Sequence, residues 1–195
     1  MLPAMPRTRD PDLKRANLLK AGLEQFSSRG LNGTPVEDIA QAAGCSTGLI
    51  YSYFGSKDGL FDAVMESIVQ GSVDEVPFTP DDLPGYAGRL FDDHLAHPEI
   101  LRFVGWYRLE RSASEAAGGA SDQATKKKVR LLRAAQKEGQ IGASLDAGQL
   151  VLTVQAIALM WFSLPPEVGD AIVSPKAAKR RRAAVVDAVR RLLAD

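Results

Sequence analysis

Between Thr34 and Lys57 the chain carries two helical segments, each too short to persist alone. Thr34-Pro35-Val36-Glu37 opens the first. Thr34 can cap it, Pro35 suits the first helical position, where its missing N–H costs nothing, and Glu37 completes a capping box. Val36, Ile39, Ala40 and Ala43 form its apolar face, and Gly44 stops it. Ser46 caps the second segment, which runs to Phe54 before Gly55-Ser56 breaks it. Helices of about two turns are marginal in water. The pair is therefore expected as a helix-turn-helix packed on a third helix. Ala16, Leu19, Leu23 and Phe26 recur at three- and four-residue spacing and supply that third helix with an apolar stripe, which Gly30 ends.

Helical punctuation continues through the rest of the chain, and strand alternation is nowhere convincing. Ser56 caps a helix with Asp58 in its first turn and a stripe of Phe61, Val64, Met65 and Ile68. Residues 71–84, rich in Pro, Gly and Asp, read as a loop. Five more helices are expected. Pro84 and Pro98 stand at the first position of two, Ser121 caps a third, Asp146-Ala147-Gly148-Gln149 resembles a capping box for a fourth, and Ser174-Pro175 opens the last. The expected fold class is all-α.

Composition narrows the function classes. With 195 residues, 45% hydrophobic and 25% charged, the chain can build a real core. Lys+Arg and Asp+Glu both total 24, so whole-chain charge gives no argument for nucleic acid and only local clusters can. Cys45 is the single cysteine, which excludes an internal disulfide or a thiol-based zinc site and fits a reducing cytoplasm. Met1 to Pro6 lack the pattern of a signal peptide. The most apolar stretch, Leu150 to Leu164, is interrupted by Thr153, Gln155 and Ser163 and falls short of the roughly 20 residues a membrane span needs. A cytoplasmic protein without membrane contact, cofactor or metal is expected.

The second short helix carries the chemistry. Ile50 and Phe54, four apart, share a stripe facing the core; Thr47 and Tyr51 lie on an adjacent stripe, with Gly48 and Ser52 further round. Small and polar groups at its start let the backbone approach base edges in a major groove. Ser46 and Thr47 can bond phosphates or bases, while Tyr51 and Tyr53 can bond phosphates or touch thymine methyls. Lys57 adds charge at a helix start whose N–H groups already favour a phosphate.

Gly30, Thr34, Val36, Ile39-Ala40, Ala43-Gly44, Ser46, Gly48, Ile50-Tyr51, Tyr53-Phe54, Lys57 and Leu60 together resemble the signature of the TetR family of transcriptional repressors, over about the first third of the chain. The resemblance implies phosphate contacts from Thr34, Tyr53 and Lys57, and base or backbone contacts from Ser46, Thr47, Gly48, Leu49 and Tyr51. Pro35 stands where the family often has Thr, Cys45 where Val is usual, and Tyr53 where His is common. Tyr53 keeps a hydrogen-bonding tip but with a different reach. The resemblance also implies two domains. Residues 1–54 would hold an N-terminal arm and the DNA-binding helix-turn-helix, and residues 55–195 a helical effector-binding and dimerisation domain. In the arm, Arg7 and Arg9 are candidates for DNA contact or for a solvated tail.

For the effector, an apolar pocket is expected from Phe91, His94, Phe103, Trp106, Tyr107 and Trp161, although any one of these can equally be plain core. Arg102 and Arg108 can meet an anionic ligand or solvent. The helices near 146–164 and 175–193 are expected to pair with their copies in a homodimer, through Leu152, Ile157 and Leu159 on the first and Val185, Val189 and Leu192 on the second. Such a dimer would present two recognition helices about 34–36 Å apart, one DNA turn. A small molecule favouring another spacing would release operator double-stranded DNA. The expected function is thus a ligand-responsive repressor, not an enzyme.

Other patterns compete with this reading. Gly44-Cys45-Ser46-Thr47-Gly48 matches the G-x-S-x-G nucleophile elbow, so a serine hydrolase using Ser46 is the alternative. That motif needs a strand before it, and here a helix is expected. His94 and His97 are the only histidines; Pro98 places His97 past its helix end. Lys126-Lys127-Lys128, and the run Lys179 to Arg182, read as solvated faces.

Overall fold

The computed structural model describes residues 11–164 and 178–194, and every described regular element is helical. In chain order these are α1 (Pro11–Arg29), α2 (Val36–Ala42), α3 (Thr47–Phe54), α4 (Lys57–Glu75), α5 (Leu83–Ala96), α6 (Pro98–Glu110), the single turn α7 (Ala113–Ala116), α8 (Ala120–Lys137), α9 (Ala147–Leu159) and α10 (Ala178–Leu192). Short 3-10 turns, Pro80–Asp82 and Met160–Phe162, precede α5 and follow α9. The expected all-α class holds. Arg7, Arg9, Pro165-Pro166 and Ser174-Pro175 lie outside the described residues.

Local chemistry sets most element ends. Gly44 adopts φ 62°, a left-handed conformation that costs any other residue more. It ends α2 in a Schellman arrangement: Cys45 N–H donates to the Ala40 carbonyl at 2.9 Å and Gly44 N–H to Gln41 at 3.1 Å. Ser56 caps α4, its Oγ accepting from Gly59 N–H at 2.9 Å. Asp146 caps α9 by accepting from Gly148 N–H at 2.8 Å. Pro98 opens α6, and His97 stands past the end of α5 as its cap, both as expected.

Several expectations are corrected. Thr34 does not cap α2; its hydroxyl is buried and donates to the Gly30 carbonyl at 2.6 Å, leaving Pro35 at the cap position. The buried face of α1 is Leu18, Ala21, Gly22 and Phe26; Ala16 is exposed and Leu19 and Leu23 are half-buried. Most of 71–84 is not loop: α4 continues to Glu75 and α5 begins at Leu83, with Asp82 as its cap and Pro84 one position further in than expected. Gly119, not Ser121, caps α8. Phe54 is half-buried beneath the Arg15 guanidinium, 5.6 Å from its ring centroid.

The chain divides into two compact units. The first takes the described residues up to Ser67 together with Arg102–Ser112, and so runs past Phe54. An aromatic cluster explains why. Phe61 of α4 meets Phe26 of α1 edge-on at 5.0 Å and Phe103 of α6 at 4.9 Å, and all three rings are fully buried. Each such ring contributes about 1.5–3 kcal/mol by burial alone. Glu110 closes the unit, accepting from Leu31 N–H at 2.9 Å and from the Asn32 amide at 2.8 Å. The second unit comprises Ile68–Leu101 and the described residues from Ala113 on. In it α5 packs on α9 and α10, and α8 on α9, around Tyr86, Phe91, Leu132, Val151, Val154 and Val189.

Candidate nucleic-acid interface

The α2–turn–α3 segment holds the candidate DNA-contact face. Ile50 is fully buried and anchors α3 from beneath. Ser46 takes extended backbone angles (φ −85°, ψ 153°) at the helix start, and its side chain makes no capping bond. Ser46, Gly48 and Tyr51 are exposed, Tyr51 with 51% of its surface open; Thr47, Leu49 and Tyr53 are half-buried. Thr47 and Tyr51 stand one turn apart on one face, as expected. α3 carries no charged side chain, so any readout from it is by hydroxyls, backbone and methyl contacts. Gly48 is not demanded by packing: a Cβ there would meet nothing nearer than Ser46 Oγ at 3.9 Å. Its bareness is open surface at the helix start.

Thr34 and Lys57 act together, but not as two free phosphate ligands. Thr34 is fully buried, which removes its hydroxyl from any phosphate; its carbonyl accepts from Lys57 Nζ at 3.0 Å. Lys57 stays half-exposed. Arg15 adds a further cation near this segment. It sits over Phe54, a contact between α1 and α3 that no local pattern signals.

The expected effector set divides. Phe103, Trp106 and Tyr107 belong to the first unit. Phe103 is fully buried, Tyr107 stacks on Phe61 at 5.3 Å, and the indole of Trp106 lies where a Cβ on Gly30 would fall, 2.7 Å from its Cε3. Phe103 is thus core of the first unit, and Trp106 and Tyr107 are half-buried beside it. Phe91, His94 and Trp161 lie in the second unit. There Phe162 bridges Phe91 at 5.3 Å and His94 at 5.9 Å. His94 Nδ1 and Trp161 Nε1 are buried without a hydrogen-bond partner among the described residues. Burial holds the His94 imidazole below its ordinary pKa, against the opposing pull of Asp93. Burial likewise lowers the Lys128 ammonium, which lies 5.7 Å from the Tyr86 ring centroid. A separate small cavity of about 120 Å³ is lined by Gly142, Ser144, Leu145, Leu150, Leu192 and Leu193, among others. None of the six expected effector residues lines it.

The expected dimer residues also divide. Val185 and Val189 are buried within the chain against the second unit's core, so they cannot face a partner. Ile157 and Leu192 are half-buried against the same core. Leu152 is 58% exposed, and with Ala156 and Met160 it makes an open stripe at four-residue spacing along α9 and its 3-10 extension.

Residues 18–64 match the family model described as bacterial regulatory proteins, tetR family. Residues 82–191 match that of the tetracyclin repressor-like C-terminal domain. The HTH-type transcriptional repressor SCO4008 of Streptomyces coelicolor is 33% identical over 166 residues, covering 85% of this chain and 86% of the relative. The chain belongs to the TetR family. This TetR-family transcriptional regulator also resembles the HTH-type transcriptional regulator BetI of Burkholderia thailandensis, 39% identical over 66 residues, a third of each chain. Among solved structures, that of the transcriptional regulator SCO4942 from Streptomyces coelicolor superposes with a TM-score of 0.80 at 32% identity, covering 93% of this chain and 98% of that one. The matched N-terminal segment contains α2 and α3 entire, so the exposed face of α3 is that of a TetR-family helix-turn-helix, the family's element for operator DNA. The G-x-S-x-G spacing of this regulator spans a helix end and a helix start, without the strand that a nucleophile elbow needs. No described helix is long and apolar enough to cross a membrane.

Proposed function

We propose that this TetR-family regulator is a cytoplasmic, homodimeric repressor that grips operator DNA through α3 and lets go when a small molecule enters its second unit. One observation carries the DNA half of the reading. Buried Ile50 holds α3 so that Ser46, Gly48 and Tyr51 face outward, with Thr47 beside them. The repressor sense draws support from the relative SCO4008, which is named a repressor. The division of labour is that expected from the sequence, with the N-terminal unit for DNA and the C-terminal unit for effector and partner.

The effector half draws support from Phe91, His94, Trp161 and Phe162, where two ring nitrogens lie buried without partners among the described residues and would be satisfied by a polar group on an apolar ligand. The dimer half draws support from the Leu152, Ala156 and Met160 stripe, which leaves apolar surface open on the helix expected to meet its copy. A ligand acts only through its different affinity for the DNA-bound and free states. Fluorescence anisotropy with DNA flanking the protein's own coding region tests the reading. Tight, salt-sensitive binding that Tyr51→Ala weakens is expected, and wild-type binding no tighter than to random DNA overturns it. A thermal-shift screen of aromatic and lipophilic compounds, followed by the same anisotropy assay, tests release. The competing reading, a DNA binder without an effector, predicts that no compound alters operator affinity.

A further inference from the structure

The carboxyl ends of α4 and α5 both lie in the second unit. Glu75 is the last residue of α4, and His97 caps the end of α5 one turn beyond Asp93, its N–H donating to the Asp93 carbonyl at 3.0 Å. A ligand atom from each of Glu75, Asp93 and His97 lies within 4.8 Å of those of the other two. We propose that these three side chains bind a divalent transition-metal ion of borderline softness, such as zinc, cobalt or nickel.

Two features favour a cation there. First, the carboxylates are uncompensated: none of Glu75, Asp93 and Glu99 has a Lys or Arg within ion-pair distance among the described residues, and Glu99 adds a third carboxylate 3.5 Å from His97 Nδ1. Second, the carboxyl ends of two helices carry partial negative charge, and the last turn of α4 holds no basic residue to offset it.

One imidazole with two carboxylates is a mixed nitrogen–oxygen set. It suits borderline ions better than magnesium, which prefers oxygen alone. Ligand bonds of about 2.0–2.2 Å require the three groups to close in by rotation about their side chains. Half of the His97 side chain is open to solvent, which leaves an entry path. The site does not rest on DNA binding or on an organic effector.

The test uses the untagged full chain, stripped with chelator. Zinc is titrated by calorimetry and cobalt by its visible absorption. One ion per chain is expected, bound at micromolar concentration or tighter, with at least about tenfold weaker binding in His97→Ala and in Asp93→Asn, and no change in Glu138→Gln. Because the chain has only two histidines, zinc should also move the His97 ring-proton resonances of the wild-type protein, which needs no variant to fold. Binding absent up to millimolar metal, binding equally tight in both variants, or unmoved His97 resonances would each overturn the proposal.

Discussion

The Lys57 ammonium donates a 3.0 Å hydrogen bond to the carbonyl oxygen of Thr34, pinning the start of α4 to the residue that leads into α2. The bond leaves Lys57 half-exposed beside the DNA-binding face, where its charge still counts. Structural and DNA-binding roles separate by experiment. Lys57→Ala should cost about 1 kcal/mol of stability in urea unfolding, the low end for a partly solvated charge-assisted bond. If Lys57 also neutralises a phosphate, the same variant lowers the slope of log affinity against log salt by about 0.9. Lys57→Arg should restore the slope. A slope unchanged in Lys57→Ala would assign the residue to structure alone.

Gly48 separates folding from recognition in the other direction. A Cβ at this position meets only Ser46 Oγ, at 3.9 Å, and the residue is helical. Gly48→Ala should therefore leave stability unchanged or raise it by up to about 1 kcal/mol. Operator affinity should nonetheless fall at least about tenfold, because the methyl stands where the backbone must approach the groove. Denaturant unfolding and anisotropy on the same sample check both halves; unchanged affinity would remove the start of α3 from the interface.

Leu152 and Val189, both expected at a dimer interface, should behave oppositely. Val189 is fully buried within the chain, so Val189→Ala should destabilise by about 2 kcal/mol without a specific effect on association. Leu152 is more than half exposed, so Leu152→Glu should leave the fold intact and raise the dimer dissociation constant by more than an order of magnitude. Sedimentation across a concentration series distinguishes the two. A wild-type protein that stays monomeric at micromolar concentration would refute the homodimer.

Tyr86 gives a signature of the second unit's core. Burial pushes its phenol up to about 12, only partly offset by Gln155 and by the charge of Arg89. The ordinary value is about 10. A pKa raised on folding means that the folded state keeps the proton longer. The associated stability is complete below pH about 10 and is lost as pH rises towards about 12. In tyrosinate absorbance, one of the four tyrosines should ionise last, together with loss of helical circular dichroism. Tyr86→Phe should remove that late step; if it persists, another tyrosine is responsible.

What could be read from the residues alone was whatever is decided within a turn or two of chain. Gly44 and its carbonyl acceptors, Ser56 under Gly59 and Asp146 under Gly148 are local hydrogen-bonding units, and the helix-turn-helix is a run of such units in register. The outward face of α3 follows from Ile50 being its inward anchor, a matter of helical period. The misses have a different origin. Helical periodicity says that α1 and α10 each have a covered face, but not which neighbour covers it. Thus Leu18 rather than Ala16 lies inside, and Val185 and Val189 are spent on their own chain's core rather than offered to a second one.

The aromatic residues make the same point at longer range. Phe103 and Tyr107 lie twelve residues and more from Phe91 along the chain, and their stripes look alike, yet Phe26 and Phe61 claim the first pair while Phe162 claims Phe91. Thr34 had the sequence of a cap, and the nearby Gly30 carbonyl took its hydroxyl instead. Caps and turns are energetically closed within a few residues, so the sequence by itself determined the helical fold and its DNA-reading motif. Burial is settled by surfaces that meet only when the whole chain packs, so tertiary structure alone decided which apolar side chains became core and which stayed exposed.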